Sequence, residues 1–361
     1  MDKIPVGVLG ATGMVGQKYV ELLEGHPWFE VVYLAASPQS VGKRYSEAVA
    51  GRWKGRGDVP YRLRDIKVQD ANDVESARGR CAFVFSAVEM PKEEVARLEE
   101  EYARAEIPVV SNNSAHRDTP DVPMLIPEIN AEHLDVISAQ RKRLGTERGF
   151  IAVKPNCSLQ SYMTPLYALV QAGYPVESAI IATMQAVSGA GYPGVPSYDA
   201  IGNVIPFIKG EEEKSEREPQ KILGKVDGSI IVPNRDIKIS AHCNRVPVLD
   251  GHLACVSLKF ASKAPKLDEI RRIWDDFASL PQEYGLPFAP RRPIAYLDES
   301  DRPQPRLDAD RDKGMAVTVG RLRPCNVLDV RFAGLSHNTV RGAAGGGILN
   351  AELLKYKGYF G

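Results

Sequence analysis

The feature that most constrains this chain is its opening stretch. Residues 4–10, IPVGVLG, are an apolar run that ends in glycine, and ATGMVGQKYVELLEGH follows at once. In the second segment Val15, Tyr19, Leu22 and Leu23 recur at helical spacing. A strand, a glycine turn and a helix in that order start a βαβ unit. Further apolar segments at 30–36, 81–87 and 108–111 alternate with a helical pattern at 92–105. Such alternation predicts an α/β fold, a Rossmann-type doubly wound parallel sheet.

A charged helix over 131–143 leads to Gly149, and a second domain is expected from about Phe150. Its strand candidates, 178–187, 241–246, 252–260 and 316–321, are β-branched and less regularly connected, with a helix at 267–278. This suggests an α+β domain with a mixed sheet and helices on one face. The Asp/Arg/Pro-rich stretch 298–314 reads as an exposed loop, and 338–356 as a glycine-containing helix. The expected division is a dinucleotide-binding domain over 1–150, completed by a C-terminal helix at 338–361, and a catalytic and dimerisation domain over 151–337.

Lys plus Arg and Asp plus Glu both number 46. That balance argues against a nucleic-acid partner, which usually needs a basic face. The longest apolar runs fall short of a membrane span. The five cysteines form no CxxC pair, so free thiols in a reducing cytosol are expected, with no metal site.

The glycine turn, Gly10-Ala-Thr12-Gly13-Met14-Val15-Gly16, is a GxxGxxG pattern in the context that gives such a motif meaning. Glycines let the backbone approach a pyrophosphate, whose charge meets the helix N-terminus. A tight turn with no ligand is the plainer alternative. After the second strand no acid is available for a ribose hydroxyl; instead Ser37, Ser40, Lys43 and Arg44 offer hydroxyls and cations for a 2′-phosphate, which favours NADP.

Cys157, in VKPNCSLQS, stands at the start of a predicted helix, where the dipole would lower its pKa. A buried core cysteine is the bland reading, and Cys255, inside a strand, is read as core too. His252, at a strand entrance after Leu249-Asp-Gly251, is the candidate proton-handling partner. Taken alone, EEEKSERE at 211–218 reads as a solvated charged segment, Arg245 as a surface arginine, and Asn338-Thr339 as a helix cap.

Seven segments occur in order: GATGMVG, SNNSAHR (111–117), PNCSLQ (155–160), TMQAVSGAGYPG (183–194), EEEK (211–214), CNRVPVLDGH (243–252) and HNTVRGAAGG (337–346). Together they resemble the aspartate-β-semialdehyde dehydrogenase family, in its archaeal and fungal-type branch, over nearly the whole chain. The resemblance implies NADPH-linked, reversible reduction of aspartyl-4-phosphate to aspartate 4-semialdehyde and phosphate, at the branch toward lysine, methionine and threonine. It implies Cys157 as thioester-forming nucleophile, His252 as acid/base and Gln185 as the residue orienting the acyl group. Arg245 and Glu211 would meet the substrate's carboxylate and amino group, and Arg117, Asn156 and Lys214 its phosphate. Asn338 would contact nicotinamide, with Ser188 and Gly189 alongside the cofactor. A homodimer or homotetramer is implied. Malonyl-CoA reductases share the scaffold and the Cys–His pair, and N-acetylglutamyl-phosphate reductase shares the chemistry. A silent dinucleotide sensor is the rival from outside enzymes. Glu211, Lys214 and Arg245 favour the amino-acid phosphate.

Overall fold

A computed structural model describes residues 2–360. Six strands form the first sheet: β1 (Ile4–Leu9), β2 (Phe29–Ala36), β3 (Gln69–Asp70), β4 (Phe83–Ser86), β5 (Val109–Ser111) and β6 (Ile151–Val153). They run parallel in the order β3-β2-β1-β4-β5-β6, with the reversal beside β1 that marks a doubly wound sheet. β4, β5 and β6 are buried along their whole length, as a sheet covered on both faces requires. Helix Lys92–Arg104 covers one face with Val95, Leu98 and Tyr102. Helix Met14–Leu22 covers the other with Tyr19 and Val20, joined there by Ile348, Leu349 and Leu353 of the C-terminal helix Gly345–Tyr356. β6 pairs with β5, so the first sheet runs three residues past the boundary expected at 150.

The second sheet is mixed: β7 (Val176–Gln185), β10 (Lys238–Arg245), β11 (His252–Phe260), β12 (Ile294–Leu297), β13 (Val317–Pro324) and β14 (Val330–Ser336), in the order β10-β7-β11-β14-β13-β12. A small hairpin, β8 (Lys225–Asp227) with β9 (Ile230–Val232), stands apart. Helices Met163–Gln171 and Leu267–Asp276 pack on one face through Leu166, Leu169, Ile270 and Trp274. Along β11 burial alternates, and Cys255 falls in the exposed phase, which corrects its reading as core.

Topology gathers the ends of four strands at one edge of this sheet. β10 runs parallel to β7 with Arg245 level with Gln185. β11 runs antiparallel to both β7 and β14, so His252, at its start, lies beside the end of β7 and opposite Ser336 at the end of β14. Residues scattered between 185 and 338 therefore meet.

Two segments depart from the sequence reading. The stretch 298–314 is not a plain exposed loop: it holds a short helix, Pro305–Asp308, and a turn over 311–314 in which Asp312 and Lys313 take left-handed backbone angles. The Asp308 carboxylate is fully buried and accepts from Arg302 Nε at 2.7 Å and Arg311 Nε at 3.1 Å. Residues 211–218 are not merely solvated either. They begin helix Glu211–Ile222, whose Glu211, Ser215, Glu218 and Ile222 share one buried face at helical spacing. No helix among the described residues is long and apolar enough to cross a membrane.

Candidate active site

Cys157 follows β6 at the carboxyl edge of the parallel sheet, the edge where open α/β sheets place ligands. The helix expected there is a single 3₁₀ turn, Ser158–Ser161, with the longer helix starting only at Met163. The helix dipole is correspondingly short. Burial, with the Glu211 carboxylate beside it, pushes the Cys157 thiol up to about 11, against the pull of Lys154, Arg117 and Arg245 in falling order. The turn is held by Asn156, whose Oδ1 accepts from the Ser158 backbone N–H at 2.8 Å and from its hydroxyl at 2.7 Å.

The Cys157 Sγ lies 3.4 Å from His252 Nε2. The other ring nitrogen, Nδ1, accepts the backbone N–H of Ala186 at 3.1 Å. A nitrogen that accepts an N–H cannot itself carry hydrogen, so the neutral ring holds its proton on Nε2, facing the sulfur. Burial and the Arg245 charge push His252 down to about 3, so the ring rests neutral.

Around this pair stand the other candidates. Gln185, almost fully buried, donates from Nε2 toward Glu211 Oε2 at 3.4 Å. Arg245 donates through one guanidinium nitrogen to the Ala186 carbonyl oxygen at 2.7 Å. Glu211 accepts from Asn156 Nδ2 at 2.9 Å and from Lys214 Nζ at 2.9 Å. Burial alone would raise the Glu211 carboxyl, but the Lys214 charge and these hydrogen bonds hold it below its usual value. Arg117 pairs with Glu218 at 2.8 Å, both side chains buried. The second Glu218 oxygen accepts the Asn156 backbone N–H at 2.6 Å. The sequence reading missed Glu218, although its spacing from Glu211 on one helical face was a usable signal. It also missed the buried Arg341–Glu128 pair beneath the site, for which no local signal exists.

The structure also brings together most of the dinucleotide candidates. Gly10, Thr12, Gly13, Met14 and Ser37 line a cavity of about 200 Å³. Gly10 adopts φ +76°, and a Cβ there would stand 2.3 Å from the Ala87 carbonyl oxygen. A Cβ on Gly16 would stand 2.1 Å from the Gly10 oxygen, so the turn and helix can close only on glycine. This glycine cradle, with an exposed Ser37 and no acid after β2, fits a phosphorylated dinucleotide. Val15 instead packs toward the core, Ser40 is buried in a 3₁₀ turn, and Lys43 is exposed and outside the cavity lining. The cation in the lining is Arg52, on a later loop that offered no sequence signal. An adjoining cavity of about 600 Å³ shares Met14, Gln17 and Tyr192 with the first and reaches Ser188, Leu249, Asp250 and Thr339.

Asn338 is not a helix cap. Its Oδ1 accepts from the Gly251 N–H at 2.8 Å and its Nδ2 donates to the Ser188 hydroxyl at 2.8 Å. It thereby ties the Ser188–Gly189 loop to the turn before His252. Gly189 sits close beneath the site: a Cβ there would come within 3.1 Å of the His252 ring and 2.9 Å of Arg245.

Comparison with known proteins agrees over nearly the full length. Residues 5–137 match the family described as semialdehyde dehydrogenase, NAD binding domain, and residues 166–341 that described as semialdehyde dehydrogenase, dimerisation domain. Aspartate-semialdehyde dehydrogenase of Schizosaccharomyces pombe is 44% identical over 356 residues, covering 98% of each chain. That of Archaeoglobus fulgidus is 46% identical over 351 residues, covering 97% of each. The crystal structure of aspartate semialdehyde dehydrogenase with NADP from Candida albicans superposes with a TM-score of 0.89 at 40% identity, over 99% of this chain and 100% of that one. With two catalogued domains in order, near-complete coverage and a thiol–imidazole pair at the domain junction, this chain is an oxidoreductase that belongs to the aspartate-semialdehyde dehydrogenase family.

Proposed function

We propose that the chain catalyses the reversible, NADP-dependent conversion of aspartyl-4-phosphate into aspartate 4-semialdehyde and phosphate, through a thioester on Cys157. The observation that carries this reading is the 3.4 Å approach of the Cys157 sulfur to an imidazole whose proton faces it, inside a ring of residues suited to an amino-acid phosphate.

In the reductive direction the Cys157 sulfur attacks the acyl phosphate carbon, a carbon–sulfur bond forms, the carbon–oxygen bond to phosphate breaks, and the thiol proton leaves with the phosphate. Arg117 and Lys214, with the Asn156 amide, meet the departing charge. His252 Nε2–H donates to the sulfur, then to the oxygen that gains charge as the acyl carbon becomes tetrahedral; the carbon–sulfur bond then breaks, the aldehyde leaves and the sulfur regains a proton. Gln185 orients that acyl group. Arg245 grips the substrate α-carboxylate with its planar fork, and Glu211 accepts from the α-ammonium group. The nicotinamide, when bound, supplies hydride exchange with the acyl carbon. Gly10, Thr12, Gly13, Met14, Gly16 and Ser37 would hold the cofactor, with Ser188, Gly189 and Asn338 near its reactive ring and Arg52 replacing Lys43 as the cation for a 2′-phosphate.

The same reading assigns residues 1–150, with 338–361, to cofactor binding and 151–337 to catalysis and pairing of two or four copies in the cytoplasm. The reaction would supply lysine, methionine and threonine synthesis. The test is the oxidative assay with semialdehyde, phosphate and NADP. NADPH formation that requires phosphate and is lost on thiol alkylation is expected. Turnover indifferent to phosphate, or found only with malonyl-CoA and NADPH, would overturn the substrate assignment.

A further inference from the structure

Arg52, the cation assigned to the cofactor's 2′-phosphate, stands on a strap over 51–57 that contains no helix or strand. The strap runs along the cofactor cleft. Arg52 lines the cavity of about 200 Å³, and Lys54 and Gly55 line the adjoining one of about 600 Å³. Arg52 is exposed, and among the described residues no carboxylate pairs with it. One of its guanidinium nitrogens donates to the Ala48 carbonyl oxygen at 3.0 Å.

The strap's backbone is poorly tethered. Among the described residues no backbone–backbone hydrogen bond starts or ends at 53–59. Side chains hold it instead. The Trp53 ring stands edge-on to Tyr45, 6.4 Å between centroids. Arg56 pairs with Asp310 at 2.8 Å, but both are largely exposed, and such a pair contributes little. The buried tether is Gln17, on helix Met14–Leu22, 3% exposed and in the lining of both cavities. Its Nε2 donates to the Thr12 carbonyl oxygen at 2.9 Å and to the Arg52 carbonyl oxygen at 3.0 Å. Its Oε1 accepts the Lys54 backbone N–H at 2.7 Å. Two partners are carbonyls and one is an N–H, so only an amide, in this one orientation, meets all three. A single side chain thus ties the glycine turn to the two peptide units on either side of Trp53.

We propose that Gln17 is a positioning residue for cofactor choice: it fixes the strap so that Arg52 faces the 2′-phosphate, and thereby sets the preference for NADP over NAD. The inference rests on the reading of Arg52 as the 2′-phosphate cation. Without the Gln17 amide the strap keeps its Trp53 anchor, so the chain still folds, but Arg52 is no longer held in one place. The binding energy of a charge-assisted contact depends on that placement, because an unfixed guanidinium must be ordered when the ligand arrives.

The test is calorimetric binding of adenosine 2′,5′-bisphosphate and of 5′-AMP, which differ only in the 2′-phosphate. The full-length protein is compared with its Gln17→Met, Arg52→Ala and doubly substituted variants. Both fragments share the 5′-phosphate, so the ratio of their affinities separates the 2′-phosphate from any general damage to the glycine turn. Arg52→Ala should cut the ratio about tenfold, the loss of one charge-assisted contact. Gln17→Met should cut it about fivefold although Arg52 is still present. The double variant should lose no more than Arg52→Ala alone, because an absent guanidinium cannot be misplaced. Deuterium exchange at the Lys54 amide should be faster in Gln17→Met than in the parent. If Gln17→Met does not fold, Gln17→Asn, which keeps the amide but shortens its reach, carries the same expectations. A Gln17 variant with the parent's ratio or the parent's Lys54 exchange, or a double variant whose loss is the product of the two single losses, would overturn the proposal alone. Parent protein that binds both fragments equally, or Arg52→Ala with an unchanged ratio, would instead sink the assignment of Arg52 and the proposal with it, so the two failures are distinct.

Discussion

The Arg117–Glu218 pair offers a quantitative test of how this site is held. Both side chains are at least nine-tenths buried, and the carboxylate serves two masters: Arg117 at 2.8 Å and the Asn156 backbone N–H at 2.6 Å. Glu218→Gln keeps the shape and one acceptor but leaves the guanidinium charge uncompensated. Breaking a buried pair from one side costs about 3–5 kcal/mol. Arg117 still donates to the Asn112 carbonyl oxygen at 2.9 Å, and glutamine still offers an oxygen to Asn156, so the lower end, about 3 kcal/mol, is expected. Arg117→Met strands the carboxylate by a similar amount. The double variant has no stranded charge, so the single losses should exceed the combined loss by about 2 kcal/mol. Urea unfolding of the four proteins measures this cycle, provided the denaturant slope is constant across them. Phosphate KM should rise about tenfold in each single variant, since Arg117 is then either misaligned or gone. Additive losses, with coupling below about 0.5 kcal/mol, would refute the view that Glu218 holds Arg117 in place.

Other expectations follow from the same geometry. Arg245→Lys should raise the KM for semialdehyde by about tenfold or more while kcat changes less, because an ammonium cannot make a two-pronged contact; steady-state kinetics decides, and an unchanged KM would remove Arg245 as the carboxylate anchor. Gly16→Ala puts a methyl 2.1 Å from the Gly10 oxygen, and NADP affinity measured by calorimetry should drop by roughly tenfold to a hundredfold. His133 is buried and neutral, its folded pKa lowered from 6.5 to about 4 by burial. Between those values the unfolded chain binds a proton that the folded chain does not, so stability falls as pH drops through that window. His133→Gln should make the fall shallower in pH-dependent thermal melts.

The parallel sheet was legible because β1, β2, β4 and β5 are apolar runs ending in turn residues, a local signal that burial on both faces enforces. Cys157 and His252 could be singled out individually, but their contact depends on β11 running antiparallel to β7, which no local pattern encodes. Cys255 was misread because residue type suggested burial while strand phase, set by pairing with β14, turned it outward. Lys43 follows Ser37 closely in sequence but lies outside the described cavity lining, whereas Arg52 lies within it, a placement that no local pattern encodes. The charged segment after Gly210 hid its buried face because Glu211 and Glu218 are matched by partners on distant elements, Asn156 and Arg117. Composition alone reports such residues as solvent-facing.

The central claim is that Cys157 carries the acyl group. Mixing enzyme with semialdehyde and NADP in the absence of phosphate, then quenching in acid and mapping peptides by mass, tests it most directly. One equivalent of NADPH per active site, an aspartyl adduct on the Cys157 peptide, and its discharge on adding phosphate are predicted. Full turnover by Cys157→Ala, or an adduct on any other residue, would contradict the account.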